Sequence, residues 1–67
     1  MIRGKVNWFH DLKGYGFISS EDFPEVVYVR FPDICSSGYR TLKKGDEVFF
    51  EIERSSDGTK ATNVTRI

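Results

Sequence analysis

Cysteine, histidine and proline are all scarce in this chain, and each scarcity excludes something. A single cysteine, Cys35, rules out an internal disulfide, and with one histidine, His10, too few ligands remain for a metal cluster. Two prolines, Pro24 and Pro32, leave long stretches free to pair as strands. No apolar run approaches the roughly 20 residues of a membrane-spanning helix. The start, Met1-Ile2-Arg3-Gly4-Lys5, lacks the apolar stretch and cleavage site of a secretory signal, so a cytoplasmic location without membrane contact is expected. Charge of one sign is missing too: ten Lys and Arg balance ten Asp and Glu. A polyanion-binding function therefore requires the charges to be segregated onto different faces. Arg3, Lys5 and Lys13 lie early, opposed by Asp11. Glu21, Asp22 and Glu25 cluster later, as do Glu47, Glu51 and Glu53.

Aromatic residues, in contrast, are abundant. Six Phe, three Tyr and one Trp make up 15% of 67 residues, more than a core this small can use. A chain of this length forms one domain, 1–67, and buries only about 60% of its unfolded surface, so modest stability is expected.

The hydrophobic period is two rather than 3.6. It predicts strands over Arg3–His10, Tyr15–Ser19, Val26–Phe31, Glu47–Glu53 and Lys60–Arg66. Asp11 to Gly14, the polar stretch Ser20 to Glu25 with its Phe23-Pro24, and Ser55 to Gly58 read as turns. Pro32, lacking an N–H, ends the third strand and opens the connection 32–45. Five short strands without a helix imply an all-β, five-stranded antiparallel barrel of the oligonucleotide-binding type, because closure removes exposed edges. Alternation sends Ile18, Val27, Val29, Val48, Phe50 and Ile52 inward. It sends Tyr15, Phe17, Tyr28, Arg30 and Phe49 outward.

If the second and third strands are neighbours, Tyr15, Phe17, Tyr28 and Arg30 form one exposed platform bordered by Trp8. Every nucleobase has a π-face, so such a platform accepts bases with little regard to sequence. Lys5, Lys13, Arg30, Arg40 and Lys60 are the candidates for attracting phosphates. Other groups have plainer readings. Phe9 is a core or hinge residue, Phe23 a loop anchor and Phe49 a sheet-face residue. Cys35 is a loop thiol. His10, beside Asp11, reads as a solvated turn residue with no nucleophile placed near it. No catalytic constellation is present, so no enzyme and no cofactor are expected.

Lys13-Gly14-Tyr15-Gly16-Phe17-Ile18 resembles the first ribonucleoprotein motif, and Val27-Tyr28-Val29-Arg30-Phe31 the second. RNA-recognition motifs share the first pattern but need two helices and a longer chain. With Gly4-Lys5-Val6 before Trp8-Phe9, Gly38-Tyr39 before Thr41-Leu42, and Ala61 before Asn63-Val64-Thr65, the whole chain resembles a bacterial cold-shock protein. The resemblance implies base-stacking roles for Trp8, Tyr15, Phe17, Tyr28, Phe31 and Tyr39, and a phosphate or base contact for Lys13. It also implies single-stranded RNA or DNA, with a preference for pyrimidine-rich stretches, as the partner of a passive RNA chaperone acting on transcription or translation. A monomer is expected, with a domain-swapped or weak dimer as the alternative. The chain departs from the family pattern at several points. Asn7 stands where Lys is usual, leaving at most a weaker backbone contact. Arg30 stands for His, Phe49 for a small polar residue, and the acidic turn is one residue longer. These departures, with the zero net charge, motivate a second reading: a protein-interaction or dimerising barrel with weak or lost nucleic-acid affinity.

Overall fold

The computed structural model describes residues 1–36, 38 and 40–67. Five strands follow in order: β1 (Ile2–His10), β2 (Tyr15–Ser20), β3 (Phe23–Arg30), β4 (Glu47–Ser55) and β5 (Gly58–Arg66). A short 3-10 turn, Phe31–Asp33, caps β3, with Pro32 in its first turn where a missing N–H costs nothing. No helix among the described residues is long and apolar enough to cross a membrane.

The strands close into a barrel in the order β1-β2-β3-β5-β4. Strand direction cannot alternate all the way around a closed ring of odd number, so at least one junction must be parallel. That junction is β3–β5, reduced to the single pair Tyr28↔Lys60. Every other junction is antiparallel.

The interior holds Val6, Ile18, Val27, Val29, Val48 and Phe50, and also Ala61 and Val64, which lie three apart and share one face because β5 carries an extra residue near Asn63, whose φ is 49. Ile52 is only half-buried against this core. Ile34 and Leu42, both buried, come from the connection between β3 and β4. Ile34 bridges Val64, and the Cys35 N–H donates to the Val64 carbonyl at 2.7 Å, which ties that connection to β5.

Several expected boundaries shift: β3 ends at Arg30 with Phe31 in the 3-10 turn, β4 runs on to Ser55, and β5 begins at Gly58. The polar stretch Ser20 to Glu25 is not one turn: only Glu21 and Asp22 turn, and Phe23-Pro24 already belongs to β3. Ser20 pairs with Phe23 while Ile18 pairs with Val27, so β3 carries extra residues in an irregular stretch. Such irregularity tolerates a residue without an N–H. Phe23 packs against the core from the start of the strand, with the Arg54 guanidinium 5.6 Å above its ring.

Candidate functional site

Pairing of β2 with β3 sets Tyr15 opposite Arg30 and Phe17 opposite Tyr28. The pleat turns all four outward, because Gly16, Ile18, Val27 and Val29 between them are buried. The Tyr28 ring lies 6.0 Å from Tyr15 and 5.8 Å from Phe17.

Trp8 joins them through a bulge. Val6 pairs with Ile18, yet Trp8, two residues on, pairs with Phe17, so Asn7 is an extra residue in β1. Strict alternation would put Val6 and Trp8 on one face. The bulge leaves Val6 buried and Trp8 exposed. Trp8 then meets Tyr15 edge-on at 5.3 Å and stacks near Phe17 at 6.3 Å. The Asn7 Oδ1 accepts a hydrogen bond from the Ser19 hydroxyl at 2.7 Å, which holds the bulge to β2.

Two glycines permit this closeness. A Cβ on Gly16 would collide with the Trp8 carbonyl oxygen and with Phe9 across the strand pair. Gly14 takes φ +70, in the region glycine favours, and a Cβ there would press on the Phe31 ring at 2.8 Å. The Gly14 N–H donates to the His10 carbonyl and the Phe31 N–H to the Gly14 carbonyl, at 2.7 and 2.8 Å. The β1–β2 turn thus holds Phe31, 47% exposed, at one end of the platform. Beside it lies a shallow depression lined by Asp11, Leu12, Lys13, Phe31 and Arg40.

Ion pairing sorts the basic residues. Arg3 binds Glu47 at 2.6 Å, Arg66 lies 3.6 Å from Asp46, and Lys60 lies 3.5 Å from Glu53 and 3.9 Å from Asp33. The Arg3 hydrogen bond and charge hold the Glu47 carboxyl below its ordinary range, outweighing desolvation, with Lys5 adding a smaller pull. Lys5 shares its depression with Glu21, Asp22 and Glu47. Lys13, Arg30 and Arg40 make no ion pair with the described residues. All three belong to the Tyr15 end of the platform or the depression next to it, whereas Glu21 and Asp22 form the turn at the opposite end of β2.

Of the sequence-predicted residues, Trp8, Tyr15, Phe17, Tyr28 and Arg30 share one face, with Phe31 and Lys13 at its end. Asn7 and Lys5 border it on β1, and Lys60 pairs beside Tyr28 with its ammonium already engaged. Tyr39 lies outside the described residues. His10 is a correction. It ends β1, as the strand pattern gives, but its ring is half-buried rather than solvated, paired with Tyr15 and nearly parallel to that ring (2°, 6.3 Å). The available signal was its parity with Trp8 on one strand.

The model of one protein family, "'Cold-shock' DNA-binding domain", matches residues 2–67. The chain is 46% identical to Cold shock protein CspB of Bacillus caldolyticus over 67 residues, covering 100% of both. It is 44% identical to Cold shock-like protein CspC of Escherichia coli (strain K12) over 66 residues, covering 98% of this chain and 96% of the relative. Cold shock protein 1 of Arabidopsis thaliana is 54% identical over 63 residues, but these are 92% of this chain and only 21% of that protein. Among solved structures, drosophila Unr CSD456 superposes with a TM-score of 0.81 over 98% of this chain and 26% of that one. At 17% identity, this likeness speaks for the fold alone.

Proposed function

This chain belongs to the cold-shock DNA-binding domain family, and from that premise we propose that it binds single-stranded RNA or DNA by stacking bases on the face of β1, β2 and β3. The family is one of nucleic-acid-binding proteins, not enzymes. The observation that carries the finer reading is the continuous aromatic face of Trp8, Tyr15, Phe17 and Tyr28. A folded domain gains nothing in stability by leaving Trp8 42% and Phe17 37% exposed side by side. Bases on these rings are worth about 1–3 kcal/mol each. Lys13, Arg30 and Arg40 supply the phosphate contacts, and Arg30 adds a flat, permanently charged guanidinium. Stacked bases cannot pair, so binding loosens RNA secondary structure without ATP. That is the action of a passive RNA chaperone affecting transcription or translation. Phe31 extends the stacking surface in this reading and Lys5 and Asn7 border it, while the stacking role of Tyr39 and the pyrimidine preference are carried by the family resemblance alone.

Titration with oligothymidylate while following Trp8 emission tests the proposal. Saturable quenching is expected. With three phosphate contacts, log affinity should fall against log salt with a slope of about −2. No saturable quenching at low salt would overturn the proposal. The second reading, a dimerising barrel, has one observation in its favour: Phe49, outward on β4 and 38% exposed. Self-association abolished by Phe49→Ser, with no quenching by the oligonucleotide, would establish it instead.

A further inference from the structure

His10 is the chain's only histidine, and its surroundings are unusual for a surface imidazole. The ring lies nearly parallel to Tyr15 and meets Trp8 edge-on at 6.0 Å, so it continues the aromatic face by one further position. Its Nδ1 accepts the Lys13 N–H at 3.1 Å, which closes the β1–β2 turn and places the ring proton on Nε2. The charged groups around it are mostly positive. Lys13 is in the same turn, and Arg30 faces Tyr15 from β3. Trp8 and Tyr15 are its ring neighbours, and β4 pairs with β1 only as far as Lys5. The nearest carboxylate in sequence, Asp11, accepts a hydrogen bond from the Thr41 hydroxyl, and His10 forms no ion pair with a described residue.

A proton added at Nδ1 would end the Lys13 hydrogen bond and create an imidazolium whose neighbouring carboxylate in sequence, Asp11, is turned to the Thr41 hydroxyl and forms no ion pair with it. A phosphodiester strand laid across the platform supplies that missing countercharge. Resting on the single-strand reading above, we infer that His10 is a binding residue of the platform and takes up a proton from solvent when a single-stranded polyanion binds. By linkage, binding must then strengthen as pH falls through the range where imidazoles charge.

The test is calorimetric titration of the full chain with oligothymidylate, whose bases and phosphodiesters do not titrate in that range. Runs in two buffers of different ionisation enthalpy count the protons. The wild type should take up a substantial fraction of one proton per complex near pH 6.5. Its salt slope should be steeper by about 0.7 at pH 5.5 than at pH 8, one more phosphate contact. His10→Asn keeps an acceptor for the Lys13 N–H but does not titrate. It should bind with no proton uptake and one slope at both pH values. Intact binding by the wild type without proton uptake, or weakening on acidification, would overturn the inference and leave the proposed function standing. Absence of binding at either pH would overturn both.

Discussion

Phe17 and Phe50 are the same residue type in opposite roles, and their difference defines the site. Phe50 has no exposed surface and sits among Ile18, Val48 and the rest of the core. Truncation there leaves a cavity as well as lost burial, so Phe50→Ala should cost about 3–5 kcal/mol of stability, a large share for a domain of this size. Phe17 leans on Tyr28 and Trp8 but belongs to no enclosed cluster. Phe17→Ala should therefore leave the unfolding transition nearly unchanged while weakening oligonucleotide binding by about 1–3 kcal/mol. Denaturant unfolding beside the Trp8 titration separates the two effects. A Phe17→Ala chain that unfolds would make Phe17 a core residue and remove it from the site.

At the scale of strands, alternation made β2 and β3 readable, because Tyr15, Phe17 and Tyr28 fall on one parity and Ile18, Val27 and Val29 on the other. Features that break alternation were not readable. The Asn7 bulge has no composition signal, although it decides that Trp8 faces out while Val6 faces in. Phe23-Pro24 carries turn chemistry, yet it lies in a strand whose pairing is irregular there. Ile34 and Leu42 enter the core from a segment without period, so only tertiary packing reveals them. His10 was obscured by Asp11 and the glycine turn beyond it, which suggested a strand end in solvent.

The β1–β4 junction carries a further prediction. Arg3 and Glu47 join these strands, and Glu47 is held below its ordinary range. A carboxyl lowered in the folded state stabilises above its unfolded value, and that contribution is lost as pH falls through the folded one. Glu47→Gln should therefore lower the thermal midpoint slightly at neutral pH, the pair being exposed. Wild type and variant should converge as pH falls through the lowered Glu47 range, where Glu47 of the wild type becomes neutral as well. A gap that does not change with pH would assign the effect to something other than this ion pair.

For the whole molecule, zero net charge conceals a polarised surface. Arg3, Lys60 and Arg66 are taken up by carboxylates, and Lys5 sits among Glu21, Asp22 and Glu47. Among the described residues, Lys13, Arg30 and Arg40 are the platform's cations without ion pairs, gathered toward its Tyr15 end. Barrel closure through the Tyr28↔Lys60 contact holds β3 in place and gives the aromatic face a rigid support. The account's central claim is that this face receives the bases and this end receives the phosphates. A structure of the protein with a short oligothymidine or oligouridine bound tests it most directly. Bases stacked on Phe17, Tyr28 and Trp8, with phosphates near Lys13, Arg30 and Arg40, are the predicted result. Bases gathered instead around Phe49 on β4, with the β1–β3 face empty, would contradict it.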